Sequence, residues 1–356
     1  MDITELLAFG VEQGASDCHV SAGEPPMVRI NGDLKKLDYP SMNKEEVHAL
    51  IYDIMSDVQR KTFEETHECD FSFELNALAR FRVNVFMQRK GEAAVFRTIP
   101  TKILTLDDLG MPPILKQLCE KEKGLILVTG PTGSGKSTTL AAMVDYLNSS
   151  YEGHILTVED PIEFVHQSKK CLVNQRELGP HTQSFSNALR SALREDPDII
   201  LVGEMRDLET IQLSLTAAET GHIVFGTLHT ASAPKTVDRI IDVFPPAQQA
   251  QIRSPFAESV EAVITQTLLK KKSGGRVPAL EIMIGTTAVR NLIREGKIHQ
   301  IPGTMQVSQK DGMQTMDMAL INLVSRGVVT KEEALSRSMN PNLFGPVAAV
   351  ATGGRS

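Results

Sequence analysis

The sequence predicts an α/β fold whose core carries a mostly parallel sheet, preceded by a small α+β domain. Short runs of Leu, Ile and Val at 125–128, 155–158, 199–202 and 223–228 lack polar alternation and read as strands buried on both faces, the mark of a parallel sheet. The first of these runs leads directly into a glycine-rich loop and a helix-forming stretch. The first hundred residues differ in texture. Phe71 and Phe73, then Phe81, Val83 and Val85, alternate apolar with polar, the period of a half-buried antiparallel strand.

The domain at 1–100 opens with an amphipathic helix from Leu6, Leu7, Phe9 and Val11. Val28-Arg29-Ile30 followed by Asn31-Gly32 reads as a strand entering a hairpin turn. Ile99-Pro100 closes this domain, and 101–111 reads as a polar linker through Asp107 and Asp108. The core spans 112–284. A smaller helical segment follows over 285–344, and the tail 345–356, rich in Ala, Val and Gly, has nothing to pack on and is expected to be disordered.

A chain of 356 residues holds about two full-sized domains. With 41% hydrophobic and 23% charged residues its composition is that of a globular protein, which excludes wholesale disorder. The net charge of −7 repels a phosphate backbone, and 4 Tyr with no Trp leave little surface for bases to stack on, so nucleic acid is a disfavoured partner. No stretch approaches the roughly 18 apolar residues of a bilayer-spanning helix. Met1-Asp2-Ile3-Thr4-Glu5 carries acids where a secretory leader needs cations. The expectation is a cytoplasmic protein without an integral membrane segment. Cys18, Cys69, Cys119 and Cys171 form no C-x-x-C pair and read as reduced, buried thiols.

Gly130-Pro131-Thr132-Gly133-Ser134-Gly135-Lys136-Ser137 fits G-x-x-x-x-G-K-[ST], after a buried strand and before the helix-forming run from Thr138. Glycines let the backbone curl until its N–H groups face phosphate oxygens. Lys136 reaches the β- and γ-phosphates, and Ser137 ligates magnesium. The implied ligands are ATP and Mg2+, with the cradle running from Gly130 through Thr138. A plain glycine turn needs neither the Lys nor the hydroxyl at those offsets.

Further charged groups belong at the same edge of the sheet. Asp196 to Glu204 is an apolar strand ending in an acid, which aims Glu204 at the magnesium or its waters. Glu159-Asp160-Pro161-Ile162-Glu163 emerges beside it, with Glu159 and Asp160 as further metal candidates. Hydrolysis needs a carboxylate to orient water, and Glu163 and Glu204 are the two candidates between which the sequence does not decide. His222 and His229 flank one strand, roughly 23 Å apart, so both cannot touch one phosphate within a subunit. His229, at the carboxyl end, suits a γ-phosphate sensor; His222 suits a contact between lobes or subunits. Arg82 and Arg97 stand either on a solvated strand face or as cations that neutralise the γ-phosphate.

The P-loop, the acidic box Leu156 to Phe164, the run Gly203-Glu204-Met205-Arg206-Asp207 and the His box Ala218 to Thr230 occur in that order. Together they resemble the secretion ATPase superfamily that drives type II secretion, type IV pili and conjugation, from Met1 to about Arg326. Extension and secretion members usually add a long N-terminal domain and a four-cysteine zinc motif, which this chain lacks. Ala288 to Glu295, AVRNLIRE, looks like the A-I-R-N-L-I-R-E signature of the pilus-retraction branch, departing only at Val289. The resemblance implies a homohexameric ring with a PAS-like N-terminal domain on a RecA-like core. It also implies twitching motility as the output, and docking from the cytoplasm on the inner-membrane platform protein of the pilus machine.

On a helix Val289, Leu292 and Ile293 share one face, while Arg290 and Arg294 stand four apart and repel. The expectation is an apolar face on the core and an arginine face free for a partner. Rival readings are an extension or secretion ATPase of the same superfamily, a RecA-like nucleic-acid motor, and an ATP-binding switch without sustained turnover.

Overall fold

The computed structural model describes residues 2–30, 32–75, 79–99 and 102–344. Asn31, Pro100 and the tail 345–356, on which a turn, a domain end and disorder were expected, lie outside the described residues. Two compact units result. One holds the chain to Lys102 together with Glu163–Val165, and the other holds Ile103–Ile162 and the chain from His166 onward.

The N-terminal unit runs α1 (Ile3–Glu12), β1 (Asp17–Ser21), β2 (Met27–Ile30), β3 (Asp33–Lys36), α2 (Lys44–Asp53), α3 (Asp57–Thr66), β4 (Glu68–Leu75), β5 (Ala79–Gln88) and β6 (Gly91–Ile99). Each helix starts on a reciprocal cap, Asp2 with Glu5, Asn43 with Glu46 and Ser56 with Gln59, which satisfies N–H groups that the first turn leaves open. The strands form one antiparallel sheet in the order β3-β2-β1-β6-β5-β4. Leu6, Leu7, Ile51 and Phe63 of the helices pack with Phe81, Val83, Val85 and Phe96 of the strands, so the alternation in the sequence does mark the buried face. Phe9 departs from the expected stripe and is 41% exposed, while the buried face of α1 is made by Ile3, Leu6, Leu7 and Gly10.

The larger unit continues with α4 (Ile114–Cys119), β7 (Gly124–Thr129), α5 (Lys136–Ser150), β8 (His154–Glu159), β9 (Leu172–Glu177), α6 (Phe185–Ala192), β10 (Ile199–Val202), α7 (Leu208–Glu219), β11 (Ile223–Leu228), α8 (Ala233–Asp242), α9 (Pro246–Ser259), β12 (Val260–Lys270) and β13 (Arg276–Ile284). Then come α10 (Thr287–Arg294), α11 (Ile301–Val307), α12 (Met316–Ser325) and α13 (Lys331–Leu335). Its sheet has the order β13-β12-β7-β11-β10-β8-β9, parallel throughout except for β12 with β13. β7, β10 and β11 are buried at every residue, in keeping with runs that lack polar alternation, and the two polar residues they hold, Thr129 and Thr227, are buried as well. The sequence reading omits β9, β12 and β13, whose runs are interrupted by polar residues such as Thr265 and Gln266 that turn out to be buried.

Two expected boundaries are corrected. Residues 103–111 are no linker, since Leu106 and Met111 are buried with Leu115, Ile126 and Val128. The segment 285–344 is likewise part of the core unit. Val289, Ile293, Ile301 and Met305 join Ile200, Val224 and Val263, and Leu320 packs with Leu269 and Ala279. A buried acid reinforces this. Glu281 of β13 accepts the first N–H of α8, from Ala233, at 2.6 Å and the first N–H of α12, from Met316, at 3.3 Å. Burial pushes its carboxyl pKa up, opposed by these two amide bonds. All four cysteines are free and buried. Among the described residues no helix is long and apolar enough to cross a membrane.

Candidate active site

β7 delivers the chain into the loop 130–135, where Gly130 (φ 139°), Gly133 (φ 77°) and Gly135 (φ 87°) take backbone conformations that side chains disfavour. A Cβ on Gly130 would lie 2.3 Å from the Gln266 carbonyl oxygen, so this position also has no room for one. α5 then starts at Lys136 with Gly135 as N-cap and no side-chain cap, which leaves its first N–H groups and its dipole to an anion. Lys136 Nζ folds back over the loop and donates to Gly130 O at 2.9 Å and Pro131 O at 3.1 Å. Ser134 Oγ is buried and, among the described residues, has no hydrogen-bond partner. The glycine cradle, the uncapped helix start and this unsatisfied hydroxyl fit bound phosphate.

Since β7, β11, β10 and β8 are consecutive in the sheet and parallel, the P-loop, His229, Glu204 and Glu159 leave it at the carboxyl ends of neighbouring strands. The chain after β10 is laced to β11. The Thr227 hydroxyl donates to Gly203 O, and Met205 N donates to Thr227 O at 3.0 Å. Gly203 lets β10 approach β8, for a Cβ there would stand 3.0 Å from Glu159 Cα. Glu204 is thereby carried to His229, whose Nε2 lies 3.4 Å from Oε1, and Arg206 pairs with Oε2 at 2.6 Å. Burial opposes ionisation of Glu204, but Arg206 and then His229 outweigh it and hold the carboxyl below its ordinary value.

The remaining acids separate. Glu159 Oε1 accepts from the Thr157 hydroxyl at 2.6 Å and from Gln175 Nε2 at 3.1 Å. Asp160 acts on Arg206, whose pKa it helps to raise after the stronger effect of Glu204. Glu163 groups with the N-terminal unit, not with the sheet edge that bears Glu204. Among the described residues no three or more His, Cys, Asp or Glu side chains cluster closely enough to hold a metal by themselves.

In the N-terminal unit Arg82 and Arg97 stand directly opposite each other on β5 and β6. Arg97 Nε donates to Asp17 Oδ1 at 3.0 Å, and Arg29 Nε lies 3.8 Å from Oδ2. Register places Arg29, Asp17, Arg97 and Arg82 in one row across β2, β1, β6 and β5. Asp17 is buried, which raises its pKa, yet the Ser16 hydroxyl and Arg97 prevail and lower it. The row thus carries three guanidinium groups and one ionised carboxylate on one strip of sheet.

A family model described as type II/IV secretion system protein matches residues 2–336. The chain belongs to this secretion family. It is 62% identical to the type IV pilus retractation ATPase PilT of Pseudomonas aeruginosa, over 97% of this chain and 100% of that one. A twitching motility protein of Neisseria gonorrhoeae is 58% identical over 88% of this chain and 84% of its own length. Among solved structures, the pilus retraction motor PilT with bound ADP superposes with a TM-score of 0.91 at 50% identity, covering 96% of this chain and 98% of that one. The ATPase DotB of Legionella pneumophila follows with a TM-score of 0.78 at 28% identity, covering 92% and 93%.

One position in this secretion-family chain differs from the sequence reading. Arg290 is not free for a partner. Its Nε donates to Gly285 O at 2.5 Å, a terminal nitrogen donates to Glu258 O, and the other pairs with Glu261, so the guanidinium pins α10 to β12 and the end of α9. Only Arg294 of the pair stays exposed, donating to Asn291 Oδ1 at 2.5 Å. His222 Nδ1 lies 2.9 Å from the Ala217 carbonyl oxygen, at the end of α7. Sequence reasoning also missed Asp17, Arg206 as partner of Glu204, and Gln266. Asp17 and Gln266 are polar residues inside strands, a signal that becomes informative only once the strand neighbours are known.

Proposed function

We propose that the chain is the ATP-hydrolysing motor of type IV pilus retraction, working as a homohexamer at the cytoplasmic side of the inner membrane, docked on the platform protein and driving twitching motility. The observation that carries the enzymatic part is the P-loop beside an ionised Glu204 paired with His229. The pilus part is supported by 62% identity, over 97% of this chain, with a relative named for pilus retraction.

In this reading the N–H groups of the loop 130–136 and Lys136 hold the β- and γ-phosphates. Lys136 leaves its carbonyl partners, Gly130 and Pro131, to do so. Ser137, Glu204 and, through water, Glu159 and Asp160 hold the magnesium, which supplies positive charge on the phosphate oxygens. His229 senses the γ-phosphate from its contact with Glu204. Either Glu204 or Glu163 orients the attacking water. Arg82 and Arg97 are the proposed source of further positive charge for the transferring phosphoryl group.

Lys136→Ala should abolish phosphate release, and full activity in that variant would overturn the P-loop assignment. Specific activity should rise with protein concentration as the ring assembles. Deletion of the gene should leave cells with excess pili and no twitching, whereas bald cells would indicate extension.

A further inference from the structure

Gln266 lies on β12, a strand the chemistry described so far does not use, and its side chain is 2% exposed in the core unit. Both ends of its amide are engaged with the phosphate-loop region. Nε2 donates to the Ser134 carbonyl at 2.7 Å, and Oε1 accepts from the Thr139 hydroxyl at 2.7 Å. Ser134 is inside the loop, and Thr139 faces β12 from the first turns of α5. One planar amide therefore ties the loop to the helix it introduces. The contact is close on two further sides, since a Cβ on Gly130 would meet Gln266 O at 2.3 Å and a Cβ on Gly135 would meet Gln266 Nε2 at 2.8 Å.

The bond to Ser134 O has a consequence at the other end of the same peptide unit. A trans peptide is planar, with its C=O and the following N–H pointing in opposite directions. Fixing Ser134 O toward β12 fixes the Gly135 N–H away from it, on the side that a phosphate loop presents to its anion. Gly135 reaches this orientation at φ 87°, where a residue without Cβ is at ease. Without the donor, the peptide between 134 and 135 loses the bond that sets its orientation, and the anion must then stabilise that orientation at the expense of its own affinity.

We propose that Gln266 is a positioning residue for nucleotide phosphate, acting through the Ser134–Gly135 peptide with Thr139 as its anchor. This inference rests on the ATPase reading above and deepens it. The oriented N–H meets the phosphates in the ground state and the transition state alike, so its loss raises KM and leaves kcat nearly unchanged. A purely packing role predicts the reverse pattern, a lower Tm with the KM of the folded protein intact.

The test measures ATP turnover, the dissociation constant of a fluorescent ADP analogue, and the Tm of the nucleotide-free full-length chain. Gln266→Leu should raise KM and the ADP dissociation constant about tenfold or more, with kcat within about threefold. Gln266→Glu keeps the volume and the acceptor for Thr139 but sets a carboxylate oxygen and its charge against the Ser134 carbonyl, which guards against simple misfolding of the Leu variant. Its affinity should be weak at neutral pH and recover, relative to the unaltered protein at the same pH, as the carboxyl regains a proton to donate. Thr139→Val should shift KM in the same direction by a smaller factor. Unchanged KM in both Gln266 variants beside an active unaltered protein overturns this proposal alone, as does a pH-independent defect in Gln266→Glu. An unaltered protein that neither binds nor hydrolyses nucleotide overturns the motor reading together with it.

Discussion

His229 Nε2 stands 3.4 Å from one oxygen of Glu204 while Arg206 holds the other at 2.6 Å. The carboxylate is thus ionised and aimed before any nucleotide arrives. Glu204→Gln keeps the shape and removes the charge, so turnover should fall by about 10²-fold or more with ADP still bound. If Glu204 mainly holds the magnesium shell, the variant should also need more magnesium for half-maximal rate, and Glu163→Gln should abolish turnover without that change. Equal losses with unchanged magnesium dependence would defeat separate roles for the two acids.

The same pairing has a pH signature. Arg206 and His229 hold the Glu204 pKa below its ordinary value of 4.5, so their stabilisation is present in full above that value and is lost as pH falls through the lower folded value. Arg206→Ala should therefore be less stable than the unaltered protein at pH 7, and the gap should close as acid titrates the lowered Glu204 carboxyl. Urea denaturation at neutral pH and through the acid range checks this, and a gap that widens in acid would reverse the sign of the argument.

Arg290→Ala should cost about 1–3 kcal/mol, because it strips the Glu258 and Gly285 carbonyls and the Glu261 carboxylate of one donor each. Arg294→Ala, at an exposed position, should stay within about 0.5 kcal/mol. Denaturation midpoints of the two single variants separate them. Loss of twitching in cells carrying Arg294→Ala, with stability intact, would then support a partner contact at the residue of the pair that is still accessible, and normal twitching would remove it.

Ile293 is fully buried in the same helix, whereas Leu292 is only partly so. Ile293→Ala should destabilise by about 2–5 kcal/mol, and Leu292→Ala by less. Equal costs would mean that the helix docks on a different face.

Asp17→Ala should destabilise the N-terminal unit by about 1–3 kcal/mol, since it removes the carboxylate that Arg97 donates to. Arg82→Ala should be neutral or stabilising by a few tenths of a kcal/mol, because it relieves a like-charge pair directly across the strands. Both effects should shrink in high salt.

What the sequence disclosed follows from how local each signal is. The P-loop is readable because its glycines, Lys136 and Ser137 meet their requirements within one turn of chain. β7, β10 and β11 are readable because burial on both faces leaves runs of Leu, Ile, Val and Phe in them with no polar alternation. β12 is not, because Thr265 and Gln266 look like surface positions until Thr129, Thr139 and Ser134 are seen to satisfy them. Arg290 was misread for a related reason. A helical wheel gives the direction of a side chain, but the Glu258 carbonyl and Glu261 carboxylate that take up its guanidinium come from the junction of α9 and β12, which no helix pattern reveals. The grouping of Glu163 with the N-terminal unit is likewise a property of the fold and not of its motif.

Glu281 receives the amide protons that open α8 and α12, one on each oxygen. In hydrogen-exchange terms the two protons become a pair, since a fluctuation large enough to withdraw the carboxylate exposes both to deuterium at once. α8 begins just beyond His229, so protection at the distant amide of Met316 registers how firmly the turn after that histidine is closed. An isotope label in the C-terminal helices can thus report on the nucleotide edge of the sheet without touching it.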